Sequence, residues 1–247
     1  MASAFEANFC GGDFWNINET WTTEDPDFTK CFHKTVLAWA PSAFFFFFAT
    51  FELKKITSNS KEKISWNPYN LTKVVLTLSL ISVSIAEIAL IAKEGSDDNG
   101  VKIYPVDYLA PSIYLLTFLG SMALLVVSIR CGSRTSSSQF YLYLVWVFCG
   151  GVTLRSIVRT ETTEDPNVLL ITYTIMYVMV CAMFILNLFA DSAPVSSKDE
   201  LKDCPRLSAS YFSKLIYMWS VKLLWKGWRN PLEPSDLWNL DPKLTSK

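Results

Sequence analysis

Residues 167–190 read NVLLITYTIMYVMVCAMFILNLFA, a run without a single Asp, Glu, Lys or Arg. A helix rises about 1.5 Å per residue, so about 20 such residues cross the hydrocarbon core of a bilayer. In a soluble protein the same run would be a helix apolar on every side, tolerated only at the centre of a large core. Four more predominantly apolar runs stand upstream, at about 35–53, 73–92, 106–129 and 136–158. The first holds the phenylalanine block Phe44–Phe48 and includes Pro41, which membrane helices accept when neighbours satisfy the freed carbonyl. Five such runs cannot share one small globular core. The sequence therefore predicts an all-α membrane protein, a five-helix transmembrane bundle.

Composition agrees. Of 247 residues, 51% are hydrophobic and 18% charged, where an ordinary soluble domain carries about 25% charge. The net charge of −1 favours neither nucleic acid nor an acidic substrate as partner. Residues 1–33 are polar and acidic, with no basic start and no small-residue cleavage site. The first apolar run is thus expected to insert the chain itself, as a signal-anchor.

Lysine and arginine near the span ends give an orientation. Lys54, Lys55, Lys61, Lys63 and Lys73 follow the first run, and Arg130 and Arg134 follow the third. The tail adds Lys198, Lys202, Arg206, Lys214, Lys222, Lys226 and Arg229. The other side has Lys30, Lys34, Lys93, Lys102 and Arg159 among many acids. This predicts an extracellular N-terminus and a cytoplasmic C-terminus, with residues 1–33 as an external tail, 34–190 as the membrane domain and 191–247 as a cytoplasmic linker. Asn18-Glu-Thr20 is then a glycosylation sequon on the external side, whereas Asn70-Leu-Thr72 lies on the cytoplasmic side and is expected to stay unmodified.

Six cysteines occur without a CxxC pair, beside a single histidine, His33, so no metal centre is expected. Cys10 and Cys31 fall in the external tail, where an oxidising compartment permits a disulfide; the residues alone leave a bridge and two free thiols both open. Cys149 and Cys181 read as packing residues, as does the small patch Cys149-Gly150-Gly151.

Glu87 is the one carboxylate well inside an apolar run. An ionised carboxylate there costs a few kcal/mol, and Arg155, toward the same end of the fourth run, is the expected partner. Such a pair would hold two helices together. No phosphate loop, nucleophile elbow or zinc helix occurs, so this chain is expected to have no active site and no cofactor.

After Asp191 the character changes to a polar connector, then to SASYFSKLIYMWSVKLLWKGW over residues 208–228. Phe212, Leu215, Ile216, Trp219 and Leu223 share one face at helical spacing, with Lys214 and Lys222 among the residues breaking the remainder. The reading is an interfacial helix over about 209–226, lying on the cytoplasmic leaflet and ended by Gly227 and Pro231. Beyond it, Pro231, Leu232, Asp236, Leu237 and Trp238 form a turn-rich segment suited to docking on another surface.

The order of these pieces resembles a known family. Cys204-Pro205, Ser208-Ala-Ser-Tyr-Phe-Ser-Lys-Leu-Ile216, Trp219, Gly227 and PLEPSDLWNL over 231–240 resemble the linker of the multidrug resistance-associated proteins, the C-subfamily ATP-binding cassette exporters. Cys10, WNIN over 15–18 and PDFTKCF over 26–32 look like the external tail of the long members, with Leu154-Arg155-Ser156 and Phe189-Ala-Asp191 fitting between.

The resemblance implies an extra N-terminal membrane domain followed by a lasso linker, concerned with assembly, targeting and transport. It implies that Cys10 and Cys31 form the external disulfide and that Asn18 carries sugar. The parent would use ATP and magnesium to export glutathione conjugates and other organic anions, and this chain alone would do neither. Its partners would be the lipid bilayer and the core transmembrane and nucleotide-binding domains, in cis or in trans. Other readings are a channel-regulating module, as in the sulfonylurea receptors, and a free-standing five-span protein. The end at Lys247 is read as that of a fragment or truncated product.

Overall fold

A computed structural model of the chain describes residues 4–58, 68–96, 102–131, 136–160, 168–189, 205–206, 209–233 and 236–238. Every regular element among them is helical. Three short helices, α1 (Ala4–Cys10), α2 (Ile17–Trp21) and α3 (Lys30–Lys34), precede five long ones. These are α4 (Val36–Ser58), α5 (Pro68–Ser96), α6 (Pro105–Arg130), α7 (Ser137–Thr160) and α8 (Val168–Leu188). Two short helices close the described chain, α9 (Tyr211–Leu215) and α10 (Val221–Arg229). All five long helices are long and apolar enough to cross a membrane, as the apolar runs predict. Several outrun the apolar stretch, since a helix can continue through polar residues once its chain has passed the hydrocarbon core.

The long helices form a ring. The principal contacts run α4 to α6, α6 to α5, α5 to α8, α8 to α7, and α7 back to α4. Tyr143, Phe45, Phe118, Leu80, Met176, Val180 and Met183 fill its interior, nearly or wholly without exposed surface. Phe44, Phe47, Phe48, Phe51, Val75, Ile85, Phe148, Ile171 and Val178 remain exposed on the outside. An outward apolar face is what a lipid-facing bundle presents, since lipid removes the penalty that water would impose. Phe45 and Phe46 lie against Gly120 of α6, where an added Cβ would come within 2.8 Å of the Phe46 ring.

Polar groups inside the ring are mostly satisfied locally. Thr77, Ser84 and Thr117 each donate to the carbonyl four residues back. Tyr143 and Ser121 share a hydrogen bond of 3.1 Å, and the Gln139 amide donates to the Ser121 carbonyl at 2.9 Å. Paired in this way, hydroxyls and amides enter an apolar interior at little net cost.

Candidate functional site

Three regions carry the polar chemistry: a cap over one end of the ring, the buried carboxylate of Glu87, and the linker beyond α8.

The cap is residues 4–34. Cys10 and Cys31 are joined by a disulfide, with their Cα atoms 5.3 Å apart. Val106 at the start of α6 packs against this bridge together with Phe9 and Tyr104. Gly11 sits at φ 77°, the left-handed region that glycine enters without a steric penalty. A Cβ there would lie 2.3 Å from the Tyr104 ring, so glycine is required twice over. Inside the loop, Phe32 stacks on Phe28 at 4.8 Å and meets the edge of Trp15 at 5.3 Å. Trp21, in the same tail, is 73% exposed.

The cap is tied to the ring at three places. Lys34 pairs with Asp107 of α6, whose second oxygen accepts from the Tyr104 N–H at 2.9 Å. His33 is buried, with Nδ1 3.3 Å from the Thr153 hydroxyl of α7 and Nε2 3.1 Å from Asp27. Arg159, at the end of α7, donates to the Asp25 carbonyl at 2.8 Å and meets its carboxylate at 3.5 Å. Burial alone would push the Asp27 carboxyl up, but hydrogen bonds from Ser156, His33 and the Phe28 N–H outweigh it and hold Asp27 below the ordinary carboxylate range. Asn18 is exposed on α2, while the Thr20 hydroxyl of the same sequon is turned inward to the Asn16 carbonyl at 2.9 Å. Asn70 is 1% exposed and offers no room for a glycan.

The structure does not bring Glu87 and Arg155 together. Glu87 lies on α5 with Oε2 shielded and without a hydrogen-bond partner among the described residues. Arg155 is exposed on α7, which is not among the principal neighbours of α5 in the ring. Depth along a span is legible from sequence, but the order of helices around a ring is not.

The linker departs from expectation as well. Instead of one helix over 209–226, α9 ends at Leu215, Tyr217 takes a left-handed φ of 57°, and a 3₁₀ turn at Met218–Ser220 leads into α10. Ser210 caps α9, its hydroxyl accepting from the Ser213 N–H at 3.1 Å. The break shifts the helical phase. In α10 the exposed apolar stripe is Val221, Leu224, Trp225 and Trp228, with Lys222, Lys226 and Arg229 on the adjoining side. Leu223, expected on the apolar face, is half-buried. Phe212, Leu215 and Ile216 are exposed, Trp219 and Lys214 half-buried. The Phe212 ring lies 6.3 Å from Phe140 of α7, which in turn lies 5.8 Å from Phe184 of α8.

The segment after α10 folds back on it. Lys226 pairs with Asp236, and that contact, with the Glu233 N–H, holds the Asp236 carboxyl below its ordinary range. Trp238 lies 5.9 Å from Trp219. Of the expected docking residues, Pro231, Leu232 and Leu237 therefore face outward, while Asp236 and Trp238 serve the linker itself. Cys204, Pro234, Ser235 and residues 239–247 lie outside the described residues, as does most of the connector that begins at Asp191.

No group of three or more His, Cys, Asp and Glu side chains converges among the described residues. The arrangement is suited to holding helices and meeting surfaces.

Comparison with known proteins agrees with this arrangement. Residues 8–171 match the family described as ABC transporter TMD0 domain. The chain is 30% identical over 236 residues to ATP-binding cassette sub-family C member 3 of Rattus norvegicus, covering 93% of this chain and 15% of that protein. It is 28% identical over 242 residues to sub-family C member 2 of Homo sapiens, covering 97% of this chain and again 15% of the relative. The chain thus spans about 15% of the length of the curated relatives it matches. Holding five helices long and apolar enough to cross a membrane and matched over residues 8–171, this multi-pass membrane protein belongs to the ABC transporter TMD0 domain family.

Proposed function

We propose that this chain is the accessory membrane domain and linker of an exporter of the multidrug resistance-associated type, and that it serves assembly, targeting and regulation of the transporter core. The observation that carries this is the linker. The amphipathic α10 puts tryptophans on one side and cations on the next, the signature of a helix lying in a membrane surface. Leu232, which rests on Gly227, and Leu237 beside it remain 44% and 54% exposed. A latched segment with two outward leucines supports docking on a neighbouring protein more than a plain tether does. ATP hydrolysis and substrate export belong to the parent's other domains, with glutathione conjugates and other organic anions as its cargo.

In this reading the cap faces the outside and the linker the cytoplasm, in the plasma membrane. The excess of Lys and Arg at the linker end and the disulfide at the cap end both support it. Residues 1–33, 34–190 and 191–247 are the corresponding tail, membrane domain and linker, with Asn18 the glycan acceptor.

The test is co-expression of the chain with a sub-family C transporter lacking its own matching region. The chain should co-purify with that core, and inside-out vesicles should gain ATP-dependent uptake of a glutathione conjugate. Leu232→Ala with Leu237→Ala should cut association about tenfold, the loss expected for exposed anchors of an interface, with the five spans still folded. Association unchanged by the double substitution would return the segment to the role of a tether. Failure of the unaltered chain to bind the core would overturn the accessory role.

A further inference from the structure

We propose that the cleft between α7 and α8 below the cap is a binding site for one glycerophospholipid, with Arg155 holding its phosphate and the cleft walls receiving an acyl chain.

The cleft has a volume of about 600 Å³ and is lined by Asp25, Gly151, Leu154, Arg155, Val158, Arg159 and Tyr177. Its size falls within the usual range for small-molecule sites, roughly 300–1,000 Å³. Two guanidinium groups face one carboxylate. That carboxylate, Asp25, is already engaged by Arg159. Arg155 has no hydrogen-bond or ion-pair partner among the described residues.

Arg155 is also inside a membrane-spanning segment, one helical turn deeper than Arg159. A cation at that depth needs an anion from elsewhere or must reach up to water. The surrounding walls argue for a lipid anion. Leu154 and Val158 are apolar, and Gly151 lets Tyr177 close in beside them, since an added Cβ would lie 3.0 Å from the Tyr177 hydroxyl. Tyr177 is held in place by donating that hydroxyl to the Val147 carbonyl at 3.2 Å. A phosphate matches the fork of an arginine, and an attached acyl chain matches the apolar remainder. A small soluble anion would use the first feature and waste the second.

The experiment uses the full chain in nanodiscs, with native mass spectrometry after release. Phosphatidylglycerol is the probe and diacylglycerol, which lacks the phosphate, is the control. The unaltered chain should retain one phosphatidylglycerol and no diacylglycerol. Arg155→Gln should lower retention about tenfold, the effect of one lost charge-assisted contact, while Arg155→Lys keeps part of it. Val158→Trp, a change at a half-exposed wall position, should block the cleft with Arg155 intact. Circular dichroism on each variant establishes that the helices persist; the lysine and tryptophan variants keep the question decidable should the glutamine variant not fold. Equal retention by the unaltered chain and by folded Arg155→Gln or Val158→Trp would overturn the proposal. So would equal retention of diacylglycerol, or displacement of the lipid by inorganic phosphate, which would mark a site for soluble anions.

Discussion

The carboxylate of Glu52, at the end of α4, accepts the Ser138 N–H at 2.8 Å and the Ser137 N–H at 2.9 Å, so the start of α7 is capped from another helix. The first N–H groups of a helix have no partner within it, and the helix dipole favours a negative charge there. A local cap would fix only α7. This one also fixes the register of α4 against α7, which are neighbours in the ring.

Glu52→Ala should therefore cost about 1–2 kcal/mol, the range for a charged cap. Thermal unfolding of the chain in nanodiscs gives the magnitude. Hydrogen exchange should quicken first at Ser137 and Ser138, and an effect spread evenly over all five spans would contradict a local capping role.

The disulfide closes a loop with a sequence separation of 21 residues. A bridge of that span stabilises by about 3 kcal/mol, chiefly by restricting the unfolded chain. Cys10→Ser with Cys31→Ser should loosen residues 4–34 to protease while the helical signal of the five spans persists. Loss of the whole helical signal would show that the cap is needed for the ring to hold.

Acid should release the cap before it disturbs the ring. Asp27 is held below its ordinary value of 3.8 in the folded chain. A depressed carboxyl contributes stability that is present above the unfolded value and is lost as pH falls through the folded one. Protection of residues 27–34 should thus hold at neutral pH and fall below about pH 3.8. In Asp27→Asn that dependence should be absent. If the variant kept it, another group would be responsible.

The phase of α10 can be read with spin labels. A label at Leu224 should be accessible to oxygen in liposomes and shielded from a water-soluble relaxant. One at Leu223 should show less lipid exposure, because that position turns away from the apolar stripe. The opposite ranking would restore a single helix continuing from α9.

The five spans were legible because their signal is one-dimensional: about 20 predominantly apolar residues suffice, whatever surrounds them. The linker's amphipathic character was legible for the same reason, but its phase was not. Continuing the spacing of Phe212, Ile216 and Trp219 into Leu223 assumes an unbroken helix, and Tyr217 breaks it with one left-handed residue that no glycine announces. Glu87 failed differently. Its depth pointed to Arg155, yet α5 and α7 are not principal neighbours in the ring, and Arg155 faces the α7–α8 cleft. The Glu52 cap was also out of reach, since a glutamate beside two lysines reads first as part of a charged membrane edge.

The ring order has a consequence for how the protein is made. The first of these five helices to emerge, α4, has its principal neighbours among them in α6 and α7, and α5 is not one of these. During synthesis it must wait in the bilayer through the arrival of α5 before any lasting companion reaches it. Its four exposed phenylalanines, Phe44, Phe47, Phe48 and Phe51, are at ease in lipid during that interval. Phe45, which ends 1% exposed, is the side chain that changes solvent when α6 arrives. A photocrosslinker at position 45 should therefore label lipid in nascent chains stopped after α5 and protein in chains stopped after α6. Labelling of α5 in the shorter chains would show a different order of assembly.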